Sequence, residues 1–194
     1  PIDPFLVSFD LFFHVHSVSI LSWTHHHPLI LHWLAYSYSA LIPELLLIPL
    51  LIALLRERKM CRIFLLSGII GYIFIQGIYF FFPTTAPAGI LHSPFFTPAQ
   101  HSCYIKFYNI HHYLKIPHKT AECLIAFPSP HVFCACITWY VCKNKKWLFS
   151  LIGIINIPMI IATLFLGFHY FADILGGIST AALSLYLAHR IDGW

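Results

Sequence analysis

The sequence predicts an all-α integral membrane protein, a multi-pass helical bundle of five or six spans that forms one domain over residues 1–194. Hydrophobic residues make up 59% of the chain and charged residues only 9%, whereas soluble domains carry about 25% charged residues. Four segments stay apolar over the ~20 residues that a membrane helix needs. The formal net charge of +4 is too small to indicate nucleic acid, so the predicted partner is the lipid bilayer.

The four apolar segments are approximately 28–55, 61–82, 147–166 and 169–189. The N-terminal segment, residues 1–27, is apolar over 4–23 but also carries Asp10, His14 and His16. Two alternatives remain for this segment. It is either a sixth span or a helix that lies in the membrane interface.

A fifth apolar segment, residues 121–142, is interrupted by Pro128 and Pro130. Proline suits the first position of a helix but not its interior, so we expect the helix to begin at Pro130. The thirteen residues 130–142, up to Lys143, reach only about 20 Å, which is short of the ~30 Å hydrocarbon core. The sequence therefore predicts a sunken pocket above this short helix.

The basic residues indicate the orientation of the bundle. With five alternating spans, eight of them fall on one side and three on the other, and the positive-inside rule makes the richer side cytoplasmic. The eight are Arg56, Arg58, Lys59, Arg62, Lys143, Lys145, Lys146 and Arg190, and the three are Lys106, Lys115 and Lys119.

The connection 83–120 is predicted to lie on the outer side, facing the extracytoplasmic space or an organelle lumen. It is rich in Pro, His and aromatic residues and is too long for a simple connector, because structureless loops of this length are usually lids or disordered. We expect a lid over the pocket. Cys103 on this loop and Cys123 just after it share the outer face, where an oxidising compartment permits a disulfide.

Two polar clusters interrupt the apolar chain, and both open to the predicted outer face. The first is 127–131, with the sequence Phe-Pro-Ser-Pro-His. Ser129 and Pro130 are typical of a helix start, which places His131 in the first turn. The free N–H groups of a helix N-terminus suit an anion such as phosphate. The alternative is a histidine packed at a proline kink.

The second cluster is 167–173, in which His169 and Asp173 are four residues apart. On a helix they share one face, where a carboxylate fixes the imidazole tautomer and stabilises its charged form. Ionisable residues at the edge of hydrocarbon are functional candidates by default. The alternative is a satisfied pair that holds helices together.

These clusters resemble the second and third signature motifs of the type 2 phosphatidic acid phosphatase superfamily. The segment 81–87, Phe-Phe-Pro-Thr-Thr-Ala-Pro, resembles the first motif of its inositol phosphorylceramide synthase-like branch. The resemblance runs over about residues 79–177, and it implies a bundle of that family's architecture with the catalytic motifs in 121–177.

The resemblance also implies a mechanism and a site. His169 would attack phosphorus and form a phosphohistidine, Asp173 would orient it, and His131 would protonate the leaving group. Ser129, Thr84, Thr85 and Lys119 are the predicted phosphate-binding residues. The substrate would be a phospholipid or lipid phosphate, and neither a metal nor another cofactor is implied.

The sequence departs from the family at basic positions. Thr163 stands where the phosphatase branch has an Arg, and Ala88 and Gly89 follow the proline turn where the synthase-like branch tends to have one. Two questions therefore stay open. One is hydrolysis against transfer of the phosphoryl group, and the other is an enzyme against a non-catalytic bundle that keeps the His and Asp residues.

Overall fold

The computed structural model describes residues 1–112 and 125–193, and every regular element in those ranges is helical. The α-helices are α1 (Asp3–Phe12), α2 (Ser17–His25), α3 (Pro28–Ser39), α4 (Leu41–Leu54), α5 (Arg58–Phe81), α6 (Pro98–His111), α7 (Pro130–Val141), α8 (Lys146–Phe165) and α9 (Phe171–Asp192), and a 3₁₀ turn covers Pro87–Gly89. The predicted all-α class is confirmed.

Three helices of the described ranges, α5, α8 and α9, are long and apolar enough to cross a membrane. They have 24, 20 and 22 residues, which correspond to about 30–36 Å. The pairs α1–α2 and α3–α4 pass the same test when each bent pair is taken as one span. Large apolar side chains such as Leu46, Leu65 and Ile73 point outward, as they do in a protein surrounded by lipid. The chain is a multi-pass membrane protein.

The predicted span 28–55 is two helices bent by 45° rather than one straight helix. The break lies at Ala40, between α3 and α4. Pro43, in the first turn of α4, has no N–H to donate to the carbonyl of Ser39, so the helical hydrogen-bond ladder is interrupted there. The bend turns α3 away from the line of α4 and brings it against α8.

The N-terminal segment is also broken. Helices α1 and α2 meet at 78°, and His14 between them has a left-handed backbone with φ of 57°. The segment is therefore a bent pair of helices, which passes the length and hydropathy test for one span. The two expected alternatives, a sixth span and an interfacial helix, both stay predictions. Helix α1 packs against α9, and α2 packs against α8.

Helix α7 lies at the centre of the bundle, where it packs against α4, α5, α8 and α9. It has 12 residues, about 18 Å of helix, which confirms the predicted start at Pro130 and the short length. Its side chains Phe133, Ile137 and Val141 belong to the main buried core. The buried Asn156 of α8 donates to the Ala135 carbonyl at 3.0 Å, so a polar bond also ties α8 to α7.

Glycines let the neighbouring helices approach α7 closely. A Cβ added at Gly177 of α9 would lie 2.7 Å from the Ser129 carbonyl oxygen and 2.9 Å from Val132 Cβ, and one added at Gly71 of α5 would overlap the Phe133 ring. Only a residue without a side chain permits these contacts. Close small-residue packing of this kind is how membrane helices associate.

The basic residues at the start of α5, in the α7–α8 connection and near the end of α9 lie at the end of the bundle that is remote from the N-terminus of α7, whereas Lys106 lies on α6. Lys145 Nζ lies 2.9 Å from a Glu57 carboxylate oxygen, and Arg62 Nε lies 2.6 Å from Asp192. The hydrogen bond from Asn144, together with that from Lys145, holds the pKa of the Glu57 carboxyl below its usual value. Polar contacts thus join the start of α5 to the α7–α8 connection and to the end of α9.

Replacing Gly177 by Ala is expected to lower the free energy of unfolding by about 1–3 kcal/mol, because the new methyl group overlaps the backbone of Ser129. Gly68→Ala is the matched control, since a Cβ there meets nothing within 4 Å. This control is expected to leave stability unchanged or slightly raised. Thermal unfolding of both variants in detergent, followed by circular dichroism, measures the difference. Equal midpoints for the two variants would contradict the close contact.

Candidate active site

The first polar cluster forms the start of α7. Ser129 is its N-cap residue, and the Ser129 hydroxyl oxygen accepts a hydrogen bond from the Val132 N–H at 3.3 Å. Pro130 is the first helical residue, where its missing N–H costs nothing. The predicted Ser-Pro helix start is confirmed, and it carries His131 in the first turn.

The second polar cluster forms the connection between α8 and α9. Gly167 turns the chain with φ of 75°. The N–H groups of Phe168 and His169 then both donate to the Thr163 carbonyl, at 3.0 and 2.9 Å. His169 is thus held by backbone bonds just before α9, and Asp173 follows in the first turn of that helix.

Two acceptors meet the Nδ1 atom of His169. The Ala126 carbonyl oxygen lies 3.1 Å away and Asp173 Oδ2 lies 3.2 Å away. A carbonyl oxygen cannot donate, so Nδ1 carries the proton and Nε2 keeps its lone pair. The same Asp173 oxygen accepts from the Tyr170 N–H at 2.9 Å. Both side chains are buried, and the tautomer is therefore set by fixed groups.

The structure brings His131 against His169, although they are 38 residues apart in sequence. His131 Nδ1 lies 3.4 Å from His169 Nε2, and the ring centroids are 5.5 Å apart in an edge-to-face arrangement. One nitrogen with a free lone pair thus faces a nitrogen that can carry a proton. The two rings thus form a pair in which one nitrogen can accept a bond and the other can give a proton.

Tyr38 of α3 completes this group of side chains. Its hydroxyl lies 3.0 Å from His131 Nε2. The Tyr38 ring stacks on His131 at 4.8 Å and on Phe168 at 4.6 Å between centroids. Sequence reasoning missed this residue, because the chain has ten tyrosines and no local pattern distinguishes this one.

A small cavity opens beside the two histidines. Polar and aromatic residues in its wall include Tyr38, Thr85, Gln100, His131, Phe168 and His169. Within the described ranges, no Lys or Arg lines this cavity, and its wall is mostly apolar.

The sequence matches the PAP2 superfamily over residues 4–187. The chain belongs to this superfamily. Nothing among the curated proteins and nothing among the solved structures matches the chain. The PAP2 match supports the resemblance seen in the two histidine clusters, and it extends well beyond them.

Three of the predicted phosphate-binding residues of this PAP2 chain lie within the described ranges, and they differ in their hydrogen bonds and in their position relative to the cavity. Ser129 is buried as the cap of α7. Thr84 is buried behind the cavity, where its hydroxyl oxygen accepts from the N–H groups of Ala126 and Phe127 at 3.3 and 3.1 Å. Thr85 lines the cavity, and its buried hydroxyl oxygen has no hydrogen-bond partner. Of the three, only Thr85 offers a free polar group to the cavity.

Two of the sequence predictions involve residues outside the described ranges. These are the phosphate-binding role of Lys119 and the disulfide between Cys103 and Cys123. The described part of the predicted lid carries α6, and Gln100 and Cys103 of that helix line the cavity. The Gln100 side-chain amide donates to the Leu166 carbonyl at 2.8 Å, which holds α6 against the end of α8.

No group of three or more His, Cys, Asp or Glu side chains in residues 1–112 and 125–193 is placed to hold a metal ion. The consecutive histidines 25–27 instead turn Nδ1 towards carbonyls of their own helix, at 2.7–3.0 Å. These imidazole rings therefore form hydrogen bonds with the backbone of α2.

Two buried carboxylates of α1 hold the loops of the PAP2 site, and sequence reasoning did not assign them a role. Asp10 accepts from the N–H groups of Phe171 and Ala172 at 2.9 and 3.0 Å, at the N-terminus of α9. Asp3 accepts from the Thr85 N–H at 3.0 Å and from the Tyr170 hydroxyl at 3.2 Å. A carboxylate at a helix N-terminus also interacts favourably with the helix dipole.

Asp10→Ala is expected to lower the free energy of unfolding by about 1–3 kcal/mol or more, because two buried N–H groups lose their acceptor. Thermal unfolding in detergent measures this loss. Ser8→Ala is the matched control on the same helix, since Ser8 is exposed and bonds only to the Pro4 carbonyl. An Asp10→Ala protein as stable as the Ser8→Ala protein would show that these hydrogen bonds of Asp10 do not stabilise the fold.

Proposed function

We propose that the protein is a membrane enzyme that cleaves or transfers a phosphate ester of a lipid, with His169 as the nucleophile. The observation that supports this most directly is the approach of His169 Nε2 to His131 Nδ1, at 3.4 Å. One ring has a lone pair fixed for attack, and the other can carry the proton that a leaving group needs. Membership of the PAP2 superfamily supports phosphatase-type chemistry for such a pair.

The first half-reaction joins phosphorus to His169. Nε2 attacks the phosphorus atom, a P–N bond forms, and the P–O bond to the leaving group breaks. His131, charged at this stage, gives its Nδ1 proton to the departing oxygen. Asp173 stabilises the positive charge that develops on the His169 ring. A phosphoryl group does not fit within the 3.4 Å between the two nitrogens, so the rings separate when substrate binds.

The second half-reaction releases the phosphoryl group. Water or another hydroxyl group attacks phosphorus, the P–N bond breaks, and neutral His131 takes the proton of the attacking hydroxyl. This regenerates charged His131 and neutral His169. No group outside the two rings and the acceptor is needed to balance the protons.

Phosphate binding is the weakest part of the proposed site. Thr85 offers an unpaired hydroxyl, whereas phosphate sites usually use Arg or Lys. No such residue lines the cavity in the described ranges, and Lys119 remains the predicted cation. This observation favours the rival function, a non-catalytic PAP2 bundle in which the same His and Asp residues are structural.

Within the superfamily, we favour the inositol phosphorylceramide synthase-like branch, although the observations support hydrolysis and transfer of the phosphoryl group almost equally. The basis is the proline turn at 81–87 and the absence of the phosphatase branch's basic signature, with Thr163 at one of its positions. The mostly apolar cavity wall suits an acceptor that arrives from the membrane, and exclusion of water would favour transfer.

His169→Ala is expected to lower turnover by on the order of 10³-fold or more, because the nucleophile is lost. The measurement uses phospholipids labelled at phosphorus, with and without hydroxyl acceptors, and identifies every phosphorus-containing product by mass spectrometry. A trapped wild-type intermediate should carry label on His169. His32→Ala is the control, since this exposed histidine of α3 bonds only to its own helix.

Full activity in the His169→Ala protein would refute the nucleophile assignment. A wild-type protein inactive on every lipid would support the non-catalytic rival. Among active outcomes, free phosphate as the only product would exclude transfer, whereas a new phospholipid formed from an added acceptor would establish it.

We propose that the site faces away from the cytoplasm. The support is the separation between the histidines, at the N-terminus of α7, and the basic residues at the opposite end of the bundle, where Lys145 pairs with Glu57. In a cysteine-free background, His92→Cys should react with a membrane-impermeant maleimide only from the extracytoplasmic side. Lys146→Cys should react only from the cytoplasmic side. The reverse pattern in sealed vesicles of known orientation would overturn this topology.

A further inference from the structure

We propose that Tyr38 is a positioning residue that decides which nitrogen of His131 exchanges the catalytic proton. The inference rests on the proposed function, in which His131 serves as general acid and then as general base. It concerns a residue that lies on α3, outside the clusters 81–87, 127–131 and 167–173.

The contact is specific in both distance and shape. The Tyr38 hydroxyl lies 3.0 Å from His131 Nε2, within ordinary hydrogen-bond distance. The Tyr38 ring is stacked between two partners, with His131 tilted by 25° and Phe168 by 9°. Tyrosine has few rotatable bonds, so a ring held on both faces keeps its hydroxyl in a defined place.

The proton positions follow from one fixed acceptor. The Ala126 carbonyl requires a proton on His169 Nδ1, which leaves His169 Nε2 as an acceptor. When both rings are neutral, the 3.4 Å contact then needs a proton on His131 Nδ1. His131 Nε2 is consequently an acceptor, and the Tyr38 hydroxyl donates to it. Each donor in this series of hydrogen bonds, from Tyr38 to Ala126, thus meets an acceptor.

The same hydroxyl serves the other protonation states of His131. In the charged ring, Nε2–H donates to the Tyr38 oxygen while Nδ1–H faces the departing oxygen. After Nδ1 has given its proton, the remaining proton stays on Nε2, again bonded to Tyr38. Nδ1 is then the free base that takes the proton of the attacking hydroxyl. A hydroxyl that both donates and accepts thus keeps proton exchange on the nitrogen that faces His169.

Tyr38→Phe is the decisive variant, because phenylalanine retains the stacked ring and removes only the hydroxyl. The control is Tyr36→Phe on the same helix, where the side chain is 77% exposed. Two quantities are measured for each variant: kcat and KM on the lipid that the wild-type protein turns over, and the ¹⁵N chemical shifts of the His131 ring in histidine-labelled protein. His131→Asn assigns those signals by their disappearance.

We expect Tyr38→Phe to lower kcat about 10–100-fold, part of the usual contribution of general acid–base catalysis, with KM changed less than about threefold. The ¹⁵N shift of His131 Nε2 should move to that of a nitrogen without a hydrogen bond, whereas Tyr36→Phe should match wild type. Wild-type kcat and unchanged shifts in Tyr38→Phe would overturn the inference. If the wild-type protein turns over no lipid, the proposed function fails, and the ¹⁵N shifts alone then decide whether the Tyr38 hydroxyl holds His131 Nε2.

Discussion

One backbone hydrogen bond sets the geometry on which the candidate site depends. The Ser129 N–H donates to the Asp173 carbonyl at 3.1 Å, which ties the start of α7 to the first turn of α9. His131 lies two residues after this bond on one chain segment, and His169 lies four residues before it on the other. The absence of a side chain at Gly177 permits this approach. Backbone contacts thus place the two histidines beside each other, and their side-chain torsions set the distance between the imidazoles.

The parts of this arrangement that follow local rules were predictable from the sequence. Pro128 and Pro130 locate the beginning of α7, because proline excludes a continuous helix through that point. Ser129 is recognisable as a cap for the same local reason. The i,i+4 spacing of His169 and Asp173 places them within reach of each other. Each of these inferences needs only the residues within one helical turn.

The parts that sequence did not reveal are contacts between distant segments. Tyr38 meets a histidine 93 residues away, and its own neighbours are ordinary residues of an apolar helix. Asp10 was recognised only as a charged residue in the N-terminal segment. Its role was not predicted, because its partners are backbone N–H groups that carry no sequence signal. Pro43 indicates a kink within the span 28–55, but the angle of 45° does not follow from the sequence, since proline is tolerated within many membrane helices. Such contacts depend on the packed bundle.

The carboxylates of α1 have a consequence for how the protein is made. Asp3 and Asp10 belong to α1, which is synthesised before the other described helices, yet Asp10 bonds to Phe171 and Ala172, 161 and 162 residues later. Until α9 has been made, Asp10 lacks these two backbone donors, which offset its transfer into an apolar environment. We therefore expect α1 to take its final place in the bundle only after α9 has been made.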